Sequence, residues 1–271
     1  MKKRIIFLMI VFVCGIILVG CGQSEEEKAA IESFNKEVAR IQDEAANRDK
    51  AVEAANALLN GDKPPLYEED KEPLKEAIKE ATAVTFEAPE VPKELKDITA
   101  KTEELKKINM IDVTNKLTEA TAAFETSVKK CEKVTEPTEE YVIECLKTVE
   151  NIDKIEAVTE DHDPNEMLGK QGGYTTQVYF SSPLVPDPYG IFTGDVIEDG
   201  TACGGSIEVF ETSDNAKTRE AYLAGFDSTG GFASGSHKVI GTCIIRTSND
   251  LTATQQQELE AAIIEALTKL D

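Results

Sequence analysis

The side chains best suited to covalent or metal chemistry are few in this chain of 271 residues, which has six cysteines and two histidines. No two cysteines form a C-x-x-C arrangement, so the usual spacing of zinc sites and redox dithiols is absent. Four of them (Cys131, Cys145, Cys203 and Cys243) follow residue 21, an even number that suits disulfide pairing in an oxidising compartment. We predict the pairs Cys203–Cys243 and Cys131–Cys145. The alternative is four buried thiols, because free cysteine is among the most buried residue types.

The first histidine, His162, lies in the acidic stretch Glu160-Asp161-His162-Asp163-Pro164. Carboxylates around an imidazole could bind a cation, but a turn built from Asp and Pro is the favoured interpretation. The ligand spacing of a calcium-binding EF-hand is not present. We therefore predict no metal site.

The second histidine, His237, follows Ser234-Gly235-Ser236, a stretch that could supply a nucleophile and its base. Neither serine stands in a Gly-x-Ser-x-Gly elbow, so a flexible turn before a strand is the favoured interpretation and no catalytic residue is predicted. The stretch Gly204-Gly205-Ser206 could form an anion-binding nest, but it does not open a helix as a phosphate loop does. We predict no cofactor.

The first twenty residues differ in composition from the rest. Lys2, Lys3 and Arg4 form a basic head, and an apolar run too short for a comfortable membrane span follows from Ile5 to Val19. This pattern is typical of a secretory signal peptide, which we place at residues 1–20.

The end of that run, Leu18-Val19-Gly20-Cys21, resembles the lipobox of bacterial lipoproteins. The resemblance implies cleavage before Cys21 and a diacylglycerol on its thiol, with residues 21–27 as a lipidated tether. The alternative is an ordinary signal peptide with a chance cysteine. We predict a protein anchored by lipid to the cell membrane, on its extracytoplasmic face.

The charge of the chain limits its partners. The formal net charge is −22, and it becomes −25 once the three basic residues of the leader are removed. Such a polyanion is unsuited to nucleic acid and to lying on an acidic lipid surface. Trp is absent and aromatic residues make up 6% of the chain, so large aromatic binding platforms are scarce.

Residues 28–134 are predicted to be helical. Apolar residues recur on a heptad between Glu25 and Asn60, with Arg48 interrupting one column, and further amphipathic stretches run from Glu68 to Phe86 and from Lys93 to Cys131. Residues 109–112 are a possible break in the last stretch. Sharp Pro-containing turns favour an antiparallel three-helix bundle, and the alternative is an extended coiled-coil stalk that dimerises.

Residues 135–271 are predicted to form a small α+β sandwich with a mostly antiparallel four-stranded sheet. The predicted strands are Ile152–Glu160, Tyr174–Ser181, Ser206–Glu211 and His237–Thr247, and the predicted helices are Glu139–Val149, Asp214–Phe226 and Thr252–Leu270. The last strand is apolar on both faces, so we expect it to be central and covered.

Three stretches of this half resemble an uncharacterised α+β domain of Firmicute-type surface lipoproteins, and they are residues 139–146, 172–182 and 234–242. That family resemblance implies no catalytic residues. The helical half is similar in style to the three-helix repeats of extracellular-matrix-binding adhesins.

These features favour a non-enzymatic interaction module displayed on the cell surface, with an unknown extracellular protein or cell-wall partner. The long loop from Ser181 to Gly190 is the expected recognition surface, since loops on a rigid sheet commonly carry function. The alternatives are a solute-binding lipoprotein associated with a transporter and, third, a hydrolase that depends on His237.

Replacing Cys21 with alanine should abolish metabolic labelling with a lipid precursor, because the thiol that accepts the diacylglycerol is gone. The protein should then be released or remain unprocessed, since two acyl chains are needed for stable attachment. Cys14→Ala, in the same leader, is the matched control and should leave labelling intact. Lipid labelling that persists in Cys21→Ala would refute the anchor.

Overall fold

The computed structural model of the chain describes residues 24–227 and 235–270. The predicted signal peptide and Cys21 lie outside the described residues, as do Gly230, Gly231 and Ser234. Among the described residues, no helix is both long enough and apolar enough to cross a membrane.

The described chain is α+β, with long helices first and an antiparallel sheet after them. Eight helices are present in this part of the chain: α1 Glu25–Leu59, α2 Lys71–Ala83, α3 Leu95–Leu105, α4 Ile111–Lys133, α5 Glu139–Leu146, α6 Val196–Asp199, α7 Ser213–Asp227 and α8 Ala253–Leu267. The third predicted helix is two helices, α3 and α4, and the interruption begins slightly before the predicted 109–112 break. Thr252 caps α8 by accepting a hydrogen bond from the backbone N–H of Gln255.

Five antiparallel strands form one sheet in the order β1-β2-β3-β5-β4. They are β1 Ile155–Ala157, β2 Tyr174–Ser181, β3 Gly204–Phe210, β4 His237–Ile240 and β5 Cys243–Thr247. Strand β3 is central and buried along its whole length.

The prediction of four strands was wrong at the last strand. The segment His237–Thr247 is a hairpin, in which Ile240 of β4 pairs with Cys243 of β5 across the two-residue turn Gly241-Thr242. Gly241 has a φ of 58°, a conformation that suits tight hairpin turns and is costly for residues with a side chain. The reversal was not predicted because the residues on both sides of the turn form an apolar run on both faces. Strand β4 is an edge strand.

The chain divides into two compact units. Of the described residues, the first unit comprises 24–50 together with 84–112, and its core contains Phe34, Ile41, Ile98, Leu105 and Met110. Arg48, which interrupts the heptad, is buried in this unit. Its guanidinium donates to the carbonyl of Val84 and to Asp49, so the buried charge is satisfied.

Of the described residues, the second compact unit comprises 51–83, 113–227 and 235–270. Its helical core contains Ala55, Leu74, Ala81, Leu117, Phe124 and Val128. On one face of the sheet, α5 and α8 cover alternate residues of β2, β3 and β5, including Val178, Ile207 and Ile245. The predicted domain boundary near residue 135 stays a prediction, because this division by compactness does not show which segment folds alone.

The carbonyl of Val134, just after α4, fixes the β4–β5 turn by accepting a hydrogen bond of 2.9 Å from the Thr242 N–H. A Cβ on Gly241 would lie 2.3 Å from the same carbonyl oxygen. Both the backbone conformation and the space therefore require glycine there.

Gly241→Ala should lower the free energy of unfolding by at least about 2 kcal/mol, because it combines a left-handed φ with a clash against rigid backbone. Urea unfolding measures this change. Gly225→Ala is the control, since a Cβ at Gly225 in α7 meets nothing within 4 Å. That substitution should raise stability by about 0.5–1 kcal/mol, as alanine is the better helix former. Equal effects of the two variants would contradict this account of the turn.

Candidate functional site

A row of polar side chains crosses the sheet face that lies opposite α5 and α8. The strand register places Tyr179 of β2 beside Ser206 of β3, Ser206 beside Arg246 of β5, and Arg246 beside His237 of β4. Because side chains alternate along a strand, Glu208 lies on the same face as Ser206. Polar chemistry is thus concentrated on one side of the sheet.

Glu208 is fully buried in the central strand. Arg219 of α7 donates to its carboxylate through Nε at 2.9 Å and Nη2 at 3.1 Å, and Arg246 donates through Nη1 at 3.1 Å. A buried carboxylate is tolerated only with such partners, since its desolvation is costly. Burial acts to lower the pKa of Arg219, but its hydrogen bonds to Glu208 raise that pKa above the usual value.

A second set of contacts surrounds this cluster. The side-chain amide of Asn165 donates to Gln177 Oε1 and to the Tyr179 hydroxyl, both at 3.2 Å. Within the described part of the chain, Gln177 Nε2, Ser206 Oγ and Arg246 Nε are buried without a hydrogen-bond partner. Such groups usually bind ordered water or a small polar molecule.

Of the two serines considered as nucleophiles, Ser234 lies outside the described residues and Ser236 is not paired with His237. Ser236 Oγ donates to Glu260 Oε2 at 2.7 Å, whereas His237 Nδ1 lies 3.2 Å from Glu220 Oε1. Ser236 therefore has a carboxylate partner of its own, and it does not form a Ser–His pair in this structure.

The other histidine is near two carboxylates that the sequence did not indicate. His162 Nε2 lies 3.8 Å from Asp195 Oδ2, and ligand atoms of His162, Asp195 and Glu198 all lie within 4.8 Å of one another. Asp195 and Glu198 are at the start of α6, more than thirty residues beyond His162. No local spacing could have revealed this group.

Asp163, the acidic neighbour of His162, shapes the turn. It accepts backbone hydrogen bonds from Asn165, Met167 and Leu168, and another from the Tyr174 hydroxyl. Partial burial acts to raise the pKa of Asp163, but these hydrogen bonds lower it below its usual value. The predicted Asp–Pro turn is therefore present, and Asp163 is its organising residue.

The 182–195 loop contains the predicted recognition segment except for its first residue, Ser181, which belongs to β2. Two carboxylates hold the backbone of this loop. Asp187 accepts hydrogen bonds from the backbone N–H groups of Ile191, at 2.8 Å, and Phe192, at 3.4 Å. Asp199 accepts them from Thr193, at 2.8 Å, and Gly194, at 3.1 Å. These bonds fix the backbone on both sides of its exposed tip.

At that tip, two large side chains face solvent. Tyr189 is 87% exposed and Ile191 is 72% exposed, the highest values among the large hydrophobic residues of the described chain. The sequence prediction had ended the loop at Gly190 and so missed Ile191. An ordered loop that presents an aromatic and a branched aliphatic side chain is suited to contacting another molecule.

The stretch Gly204-Gly205-Ser206, considered above as a possible anion-binding nest, is part of strand β3. A Cβ on Gly205 would lie 2.2 Å from the Arg246 carbonyl oxygen and 2.4 Å from the Phe180 ring. The glycines here allow close packing between strands, so Gly204-Gly205-Ser206 offers no open anion site.

The four cysteines are free thiols in the structure. The predicted Cys203–Cys243 disulfide is wrong, because Cys243 is paired with Val209, six residues along β3 from Cys203. Six strand residues span about 20 Å, whereas bonded cysteines have Cα atoms within about 7 Å. Cys131–Cys145 is likewise not bonded.

Burial raises the pKa of Cys203 to about 11 and that of Cys243 to about 12, which makes both poor nucleophiles.

Comparison of the chain with known protein families, with curated proteins and with solved structures gave no match. The lipobox and the likeness to a surface-lipoprotein domain therefore stay predictions.

Glu208→Gln should lower the free energy of unfolding by about 3–5 kcal/mol, because it leaves two buried guanidinium groups without their counter-charge. Glu156→Gln is the matched control on the exposed part of β1 and should change stability by less than about 0.5 kcal/mol. Urea unfolding measures the free energy of unfolding of both variants. A loss at Glu208 no larger than that at Glu156 would show that the ion cluster is dispensable.

Proposed function

We propose that this chain is a lipid-anchored, extracytoplasmic interaction module whose α+β part binds a protein partner through the 182–195 loop. The observation that carries the proposal is the exposure of Tyr189 and Ile191 on a loop whose backbone is fixed by Asp187 and Asp199. A loop ordered before binding loses little conformational freedom on contact. Tyrosine is also among the residues that contribute most at protein interfaces.

The proposed role of the helical segment is to act as a spacer, arranged as an antiparallel three-helix bundle. Helix α1 begins four residues after Cys21 and continues for 35 residues. At 1.5 Å per residue it is about 52 Å long. Because these helices lie in sequence between Cys21 and the binding loop, we propose that they are the spacer between the anchor and the α+β part.

The charge of the chain narrows the proposed partner. A molecule with a formal net charge of −22 repels other polyanions and attracts basic surfaces. We therefore propose an extracellular or envelope protein with a basic contact surface rather than a nucleic acid. Binding to such a partner should weaken as salt is added, since screening reduces the attraction.

A transporter-associated solute receptor is the less favoured alternative. Such receptors close two α/β lobes around a cleft, whereas the described residues contain one five-stranded sheet. The unpartnered polar atoms near Glu208 are a feature that favours a small ligand. A set of small solutes tested by thermal shift separates the two functions, because a strong and selective stabilisation would favour the receptor.

A photo-crosslinking amino acid placed at position 189 or 191 in the native host should give a covalent adduct with one envelope protein. The same amino acid at position 222 is the control, since Tyr222 is also exposed but lies on α7. Mass spectrometry of the adduct identifies the partner. No adduct at 189 and 191, or the same adduct at 222, would contradict the proposed surface.

Tyr189→Ser combined with Ile191→Ser should then weaken binding of the identified protein about tenfold or more, the usual loss when an interface anchor is truncated. Tyr222→Ser should leave that affinity unchanged. Because the loop tip is exposed, neither variant should shift the melting temperature by more than a degree or two.

A further inference from the structure

The group formed by His162, Asp195 and Glu198 combines one imidazole with two carboxylates. His162 lies at the end of the short bridge with Thr159, and the two acidic residues belong to the start of α6. Their ligand atoms are mutually within 4.8 Å, and the side chains of His162 and Asp195 are 41% and 37% exposed. An ion could therefore reach all three from solvent.

The orientation of Asp195 is fixed by the backbone. Its Oδ1 accepts hydrogen bonds from the N–H groups of Ile197, at 3.0 Å, and Glu198, at 3.1 Å. These bonds leave Oδ2 directed toward His162, where the separation is 3.8 Å. Oδ1 of the carboxylate thus caps the start of α6, while Oδ2 faces His162.

The negative charge of this group is not balanced by protein cations. Asp195 pairs with no Lys or Arg in the described residues, and Glu198 has no ion pair there. Lys154 donates its ammonium to the carbonyl of Gly194, the residue before Asp195, rather than to either carboxylate. Elsewhere, many exposed carboxylates pair with a lysine three residues away, as Glu144 does with Lys147. Within the described residues, the two carboxylates beside His162 thus have no Lys or Arg partner.

From this arrangement we infer that His162 Nε2, Asp195 Oδ2 and a Glu198 oxygen bind a divalent transition metal, with Zn²⁺ as the best fit. Three protein ligands of N and O type with a fourth, open position form a common zinc arrangement. Ligand bonds of 2.0–2.2 Å place tetrahedral donors about 3.4 Å apart, so small side-chain rotations suffice. Calcium fits poorly because it takes six to eight oxygen ligands.

The bound ion would link two segments that are remote from each other in the sequence. It would connect the turn ending at His162 with Asp195, the residue that closes the 182–195 loop. The inference requires neither the lipid anchor nor the proposed protein partner, so its failure would leave both unaffected.

Isothermal titration of the tag-free full chain in detergent with zinc chloride tests the site. One saturable equivalent should bind, and His162→Ala and Glu198→Gln should each weaken it about tenfold or more, as expected for loss of a ligand. Asp195→Asn should also weaken it while preserving the helix cap, because Asn caps as well as Asp. Glu166→Gln, an exposed carboxylate four residues from His162, is the matched control and should bind normally.

The absence of saturable zinc binding would overturn the inference. So would binding that survives in both His162→Ala and Glu198→Gln, since the metal would then lie elsewhere, or equal competition by calcium, which would indicate diffuse attraction to an acidic surface. Melting curves recorded without metal show that each variant is folded. If His162→Ala is not folded, Asp195→Asn and Glu198→Gln decide the question.

Discussion

A carboxylate with no exposed surface, in the middle strand of the sheet, is the constraint on which the α+β part depends. Glu208 cannot remain ionised inside the protein unless positive groups reach it. One comes from the neighbouring strand as Arg246, and the other comes from helix α7 as Arg219. The pairing therefore fixes the position of α7 over β3. It places a buried polar cluster on this sheet face beside apolar residues such as Phe210 and Ile244, whereas the face under α5 and α8 is apolar.

Sequence periodicity predicted most of the helices well because burial of one stripe is a local and repeating signal. The α+β class and the strands Tyr174–Ser181 and Gly204–Phe210 were also foreseen, with small errors at their ends. The β4–β5 hairpin was missed because its turn, Gly241-Thr242, is short and lies between apolar residues that read as one strand. A single left-handed glycine decided a feature that the hydrophobic pattern could not show.

The candidate sites were less predictable than the fold, for a different reason. Glu208 lies between Ile207 and Val209, and this alternation of apolar and polar residues predicts an exposed glutamate. The side chain is instead buried, and only its distant arginine partners explain this. The partners of His162 come from α6, and the distance between Cys203 and Cys243 depends on strand register. Each of these features is a pairing between segments that are remote in the sequence, and no local spacing of residues in a single sequence encodes it. The exposed loop from Ser181 to Gly190 could be predicted because its proline-rich composition indicates a loop without any knowledge of remote partners.

The two edges of the sheet are both very short. Strand β1 has three residues with Glu156 exposed, and strand β4 has four with Lys238 exposed. Unpaired edge groups are templates on which another chain can add a strand, and short, charged edges suppress that addition. This sheet therefore resists edge-to-edge pairing, with its own copies as much as with foreign peptides. An encounter with another molecule is left to side chains at loop tips and helix surfaces rather than to the backbone of the strands.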